Sequence, residues 1–171
     1  MKAKSARPRP KRVVRADPHK LLNKSAFLKP IAHRGLHDAR AGLIENTAPA
    51  FEAAIAKGYG IECDLQPASD GTPMVFHDDK LDRLIAVARG PLASHTPAEL
   101  RAMPYRGQDA RILSFADFLK LVGGRAPLLV EVKAERGLPP RTFLAKIANA
   151  ARTYKGPIAL MSFNMDVVAA L

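Results

Sequence analysis

Residues 30–35 read PIAHRG, residues 45–58 read ENTAPAFEAAIAKG, and residues 60–79 read GIECDLQPASDGTPMVFHDD. Three short apolar runs in this stretch each end in charged or imidazole groups: His33 with Arg34, then Glu62 with Asp64, then His77. Ionisable side chains at the ends of buried strands cost desolvation unless they are paired or used. Three such ends in succession point to a site rather than to a scaffold. The local patterns agree. Pro30 to His33 is a short first strand broken by Gly35. Phe51, Ala54 and Ile55 fall at i, i+3 and i+4, predicting a helix capped by Asn46 or Thr47 and stopped at Gly58. Alternation in GIECDLQ puts Glu62 and Asp64 on one face and Ile61, Cys63 and Leu65 on the other, with Cys63 a small core residue facing the helix layer. Asp70-Gly71 is a turn signal. PMVFH (73–77) then forms a third strand, with His77 on the same side as Val75.

Further along, Thr96-Pro97-Ala98-Glu99 is a capping box with proline at the first helical position, opening a short helix that carries Leu100 and Met103. Ser114 caps a helix over FADFLKLV that ends at Gly123-Gly124. LLVEVK (128–133) is a fourth strand, with Glu131 and Lys133 on one face and Val130 and Val132 on the other. Pro139-Pro140 introduces a helix striped by Phe143, Leu144, Ile147, Ala148 and Ala151. Gly156-Pro157 stops it before a fifth strand, IALMSF, and DVVAAL opens a helix left unfinished. The segment from Asp79 to Leu113 is too short for a large inserted domain. Strands alternating with amphipathic helices mean an α/β fold with parallel strands, whose sites lie at the C-terminal strand ends. No G-x-G-x-x-G or P-loop follows any strand, so nothing points to a nucleotide.

Composition bounds the rest. The 171 residues, 47% of them hydrophobic, suffice for one domain with a real core. The net charge of +11 is concentrated at the start: residues 1–29 hold ten Lys and Arg against the single acid Asp17, and the remainder is nearly balanced. Residues 1–16, MKAKSARPRPKRVVRA, read as a disordered basic tail preceding a domain over 17–171. A solvated extension is its plainer reading; no aromatic residue interleaves the charges, so nucleic acid is not an expected partner. Residues 18–29 carry a short helix whose Leu21, Leu22, Phe27 and Leu28 cover an end of the fold. No transmembrane run and no secretory leader are found, and the lone Cys63 fits a reducing compartment, giving a cytoplasmic expectation.

Glu62, Asp64 and Glu131 are three strand-end carboxylates without a cysteine cluster, an oxygen set suited to magnesium or calcium rather than zinc. His33 and His77 suit proton transfer near neutral pH. Arg34 and Lys133 suit an anionic phosphate. Together these groups suit a phosphodiester. His19, His37 and His95 are set aside, although His37 lies in a loop near the site. Asp78 and Asp79 read as turn and surface charges.

The chain resembles the glycerophosphodiester phosphodiesterase family. The resemblance is carried by HRG at 33–35, ENT at 45–47, Ala50-Phe51, the E-C-D of 62–64, Asp70-Gly71, His77-Asp78, LDR at 81–83, E-V-K at 131–133 and Ser162-Phe163. It implies a (β/α) TIM barrel hydrolysing glycerophosphodiesters to glycerol 3-phosphate and an alcohol, with a divalent metal as cofactor. Carried over, Glu62, Asp64 and Glu131 would hold the metal, and His33 and His77 would be base and acid. Arg34 and Lys133 would bind phosphate, and Glu45 would sit near the metal or the glycerol. A glycerol hydroxyl of the substrate would be the first nucleophile. Against eight family strands, about five are read here, so the barrel is expected to be truncated at the C-terminus, with open sheet edges that self-association would cover. Two other readings stand beside it: an inactive remnant whose basic tail binds anionic surfaces, and a phospholipase-type phosphodiesterase relative.

Overall fold

The computed structural model describes residues 24–134 and 137–171. The basic tail read over residues 1–16, and with it His19, Leu21 and Leu22, lies outside them. The described residues open with a 3-10 turn over Lys24–Leu28. Leu28 is 85% exposed, so it does not cover an end of the fold as its apolar character suggested.

The sheet is built around β2 (Gly60–Pro67), buried along nearly its whole length. Its N-terminal end pairs in parallel with β1 (Ile31–Ala32). Its other edge pairs in parallel with β4 (Leu128–Val132), which pairs in parallel with β5 (Ile158–Met161). The fifth strand, β3 (Pro73–Val75), runs antiparallel to β2, Val75 opposite Leu65. The five strands read from the sequence are thus all present, four in the parallel order β1-β2-β4-β5 and one as a hairpin arm. The Asp70-Gly71 turn causes the reversal: Gly71 has φ 73°, and Asp70 binds the Thr72 backbone N–H at 2.8 Å. A connection this tight can join only antiparallel strands.

Three longer helices, α1 (Ala48–Ala56), α3 (Phe115–Val122) and α4 (Arg141–Thr153), and the short α5 (Met165–Ala170) flank the sheet. Ile61, Cys63 and Leu65 of β2 and Leu128, Val130 and Val132 of β4 pack with Phe51, Phe118, Phe143 and Ile147 from α1, α3 and α4. Phe51 and Phe118 meet with ring centroids 4.6 Å apart. Full burial of one such side chain is worth about 1.5–3 kcal/mol. The Ser114 cap and the Gly123 stop of α3 form as the sequence predicts. So does the Thr96–Glu99 capping box of α2 (Pro97–Ala102).

The segment after β3 is more than a connection. Met74, Phe76, Leu81, Ile85, Leu92, Leu100, Tyr105 and Ile112 form a second, separate core cluster. This small core buttresses the C-terminal ends of β2 and β3, where the ionisable groups gather. Among the described residues no helix is long and apolar enough to cross a membrane.

Candidate active site

Register places the carboxylates. Asp64 pairs directly with Glu131 across β2 and β4, so the two side chains emerge from one face, and Glu62 lies two residues before Asp64 on that face. The opposite face carries Cys63 and Val130 into the helix layer. One carboxylate oxygen from each of Glu62, Asp64 and Glu131 lies within 4.8 Å of the others, and all three residues are buried.

Cations and backbone amides only partly offset this charge. Lys133 Nζ lies 2.8 Å from Glu131 Oε1 and 3.2 Å from Asp64 Oδ1. Arg34 donates its backbone N–H to Glu62 Oε2 at 2.8 Å, holds its Nε 3.5 Å from Asp64 Oδ2, and donates from Nη1 to Glu45 Oε1 at 2.9 Å. Arg34 sits at φ 55°, a left-handed conformation that costs a side-chain-bearing residue energy and turns its amide onto Glu62. Glu62 Oε1 is buried and accepts no hydrogen bond, and Asp64 Oδ1 meets the Lys133 ammonium at 3.2 Å. Burial, then the neighbouring Asp64, pushes the Glu62 carboxyl up to about 7, against the opposing Arg34 amide. An orphaned Glu62 oxygen beside two further buried carboxylates makes a set that could hold a hard divalent cation. The donor set, all oxygen, fits that group.

His33 is exposed, with Nε2 3.9 Å from Glu62 Oε2. Burial of its ring and the Arg34 charge lower its pKa below the ordinary histidine value. The nearby His37 and His77 add to this, so His37 does lie close to the site. His77 lies two residues past Val75, the last residue of β3, so strand alternation does not orient it. Its carbonyl accepts from Gln66 Nε2 at 3.0 Å, and its Nδ1 lies 2.7 Å from Asp78 Oδ1.

Asp78 therefore is not a surface charge: it is half-buried between His77 and Arg83. Burial raises its pKa, but the hydrogen bonds from Arg83 and His77 outweigh that and hold the carboxyl below its ordinary range. Glu45 behaves alike: burial opposes, yet Arg83 and Arg34 bring it down to about 2. Lys133 is drawn down by burial, but Glu131 and Asp64 raise it overall, so it stays charged.

Asn46 is a second residue whose role differs from its sequence reading. It does not cap α1. It is buried at φ 56° and donates from Nδ2 to Asp64 Oδ2 at 2.8 Å. Thr47 takes the cap position, but its hydroxyl donates back to the Ile44 carbonyl at 2.6 Å. Beyond its place in the ENT run, the local sequence signal for Asn46 is its type, since asparagine tolerates a left-handed backbone.

Beside Glu131 and Lys133 opens a cavity of about 520 Å³, whose far wall is Ser162, Phe163 and Asn164 beyond β5. Phe163 is 89% exposed there. His95 closes a 3-10 turn over Leu92–Ser94.

A largely parallel α/β sheet gathers three carboxylates, two histidines and two cations near its strand ends, the arrangement of a (β/α)-barrel, and the three carboxylates could hold a metal ion. The sequence model of the glycerophosphoryl diester phosphodiesterase family matches residues 33–171, and the chain belongs to that family. A probable glycerophosphodiester phosphodiesterase 1 of Mycobacterium tuberculosis is 37% identical over 76 residues, 44% of this chain and 26% of that protein. A glycerophosphodiester phosphodiesterase crystal structure from Agrobacterium tumefaciens matches with TM-score 0.71 at 26% identity, over 84% of this chain and 61% of the other. An Oleispira antarctica phosphodiesterase, solved with the product sn-glycerol-3-phosphate, matches in fold with TM-score 0.74 at 24% identity, over 86% and 62%. The fold is thus that of the family's TIM barrels, and the chain spans about a quarter of that curated relative and about three-fifths of these solved structures.

Proposed function

We propose that this chain's domain, residues 17–171, hydrolyses glycerophosphodiesters to glycerol 3-phosphate and an alcohol. The observation that carries the proposal is the buried cluster of Glu62, Asp64 and Glu131, with an orphaned Glu62 oxygen, set beside His33, His77, Arg34 and Lys133. Glu62, Asp64 and Glu131 would hold a divalent cation, magnesium or calcium. Such a cation supplies charge stabilisation to the phosphoryl oxygens.

The protein's own groups supply the rest. Arg34 and Lys133 present N–H donors of fixed positive charge to the phosphate, Arg34 aimed by Glu45 and Lys133 by Glu131. His33, with its pKa lowered, is neutral near pH 7 and takes the proton of the attacking glycerol hydroxyl. His77 gives a proton to the leaving alkoxide, and the ionised Asp78 at its Nδ1 supports the charged ring. The P–O bond to the alcohol breaks as the new one closes a cyclic glycerol phosphate, and both proton transfers run in reverse when water opens that ring: His77 takes a proton from the water and His33 returns one to the departing glycerol oxygen. Small-molecule glycerophosphodiesters are the substrates, and Phe163 beside the cavity stands where a head group would leave. A cytoplasmic location belongs to the same proposal, supported by a single cysteine that is buried and unpaired.

The test is glycerol 3-phosphate release from glycerophosphocholine and glycerophosphoethanolamine with magnesium, calcium or EDTA, run beside Glu62→Ala and His33→Ala. Metal-dependent turnover lost in both variants is expected. A folded chain that stays silent with either metal would overturn the proposal.

A further inference from the structure

Arg83 touches neither the carboxylate cluster nor His77, yet it joins the two halves of the site. Its Nε donates to Asp78 Oδ2 at 2.7 Å and its Nη2 to Asp78 Oδ1 at 3.0 Å. The same guanidinium forks onto Glu45, from Nη1 to Oε2 at 2.9 Å and from Nη2 to Oε1 at 2.7 Å. Asp78 in turn meets His77 Nδ1, and Glu45 meets Arg34, whose backbone amide holds Glu62. An unbroken chain of charged hydrogen bonds therefore runs from the imidazole to the carboxylates, with one arginine at its centre.

Chemistry limits what can stand there. Only a planar guanidinium offers two donor edges at fixed angles to two carboxylates. An ionised carboxylate only accepts, so the proton of the His77–Asp78 contact resides on Nδ1 and Nε2 is left to exchange protons. Below the pair the ground is dry: Tyr105 is 3% exposed, its hydroxyl has no partner, and its ring lies 6.1 Å from that of Phe76, the residue before His77. An exposed arginine on the protein surface would contribute under about 1 kcal/mol and orient nothing. Arg83 is itself 46% exposed, but both its edges are engaged by carboxylates whose side chains are 12% and 23% exposed.

We propose that Arg83 is a positioning residue: by gripping Asp78 and Glu45 with one guanidinium, it fixes His77 as the Nδ1–H tautomer and sets it in register with Arg34 and the carboxylate cluster. The kinetic consequence rests on the phosphodiesterase reading above; the tautomer does not.

The chain labelled with [15N]histidine tests this without metal or substrate. The His77 ring nitrogens are identified by their loss in His77→Gln, and their shifts are followed from neutral to alkaline pH. In the unaltered chain Nδ1 carries the proton. Arg83→Ala releases Asp78 and moves the proton toward Nε2, and Arg83→Lys, which keeps one carboxylate contact and loses the fork, restores the tautomer in part. In turnover assays Arg83→Ala lowers kcat about 10–100-fold, the range for removing groups that orient a ligand or catalyst, with KM unchanged. If Arg83→Ala does not fold, Arg83→Gln, which keeps much of the length without the charge, is read by the same criteria. An unchanged Nδ1–H tautomer in the folded variant overturns the proposal whatever the activity. No turnover in the unaltered chain overturns the phosphodiesterase reading and leaves the nitrogen shifts to decide this one.

Discussion

Glu62→Gln is expected to stabilise the metal-free protein at neutral pH while abolishing its response to divalent cations. Glu62 is 4% exposed, and burial beside Asp64 lifts its carboxyl from 4.5 to about 7. Well below pH 4.5 the folded and unfolded chains both carry this proton, and Glu62 does not affect the balance. Between 4.5 and about 7 the unfolded chain has released the proton and the folded chain retains it, so stability falls as pH rises. Above about 7 the whole loss is present. At about 1.4 kcal/mol per pH decade, it amounts to about 3 kcal/mol at pH 7.5 and about 1 kcal/mol at pH 5. Glutamine keeps the oxygen that accepts the Arg34 amide at 2.8 Å and carries no charge. The variant should therefore exceed the parent by about 3 kcal/mol at pH 7.5 and by about 1 kcal/mol at pH 5. Urea unfolding followed by circular dichroism in EDTA at the two pH values measures the difference, and repetition with magnesium or calcium should raise the parent alone. A variant no more stable than the parent at pH 7.5, or one offset equally at both pH values, would refute the reasoning.

Lys133→Met should cost about 3–5 kcal/mol in EDTA at pH 7.5, because Asp64 and Glu131 lose their buried counter-ion, and urea titration should show the cost shrinking as pH falls. Gly35→Ala should cost about 2–5 kcal/mol, combining a left-handed backbone at φ 78° with overpacking. Its Cβ would stand 2.9 Å from the Ala50 carbonyl carbon and 3.0 Å from Phe51 Cδ1, and a thermal midpoint unchanged from the parent would contradict that packing. Tyr105→Phe should gain about 1 kcal/mol in the same unfolding assay, since it removes a buried hydroxyl that has no partner.

The glycine of the HRG motif shows why some of this site is legible in a sequence. Gly35 is needed where α1 crosses the end of β1, since its amide reaches the Ala32 and Glu62 carbonyls and its missing Cβ admits Ala50 and Phe51. That requirement is local, and a short motif records it. The alternation of β2 is local too: it separates Glu62 and Asp64 from Ile61, Cys63 and Leu65 before any partner strand is known.

The residues around that frame were a different matter. Asn46 resembles a helix cap by position, and Asp78 resembles a turn charge by its neighbours. Asn46 binds Asp64 across 18 residues of sequence, and Arg83 reaches Glu45 across 38. Hydrogen-bond partners at such separations are set by how the hairpin arm β3 and its small core seat against β2, and no local pattern carries that information. The direction of His77 is of the same kind, since it lies past the strand whose alternation would have oriented it.

By itself, then, the sequence determined the order of strands and helices, the caps of α2 and α3, and which residue types reach the strand ends, because each follows from backbone geometry and neighbours a few positions apart. Only the tertiary structure decided that Asp64 stands beside Glu131 and that Asp78, Arg83 and Glu45 connect His77 to Arg34. Those facts depend on strand register and on the low-dielectric setting that packing creates, where a carboxylate finds a distant partner or shifts its proton.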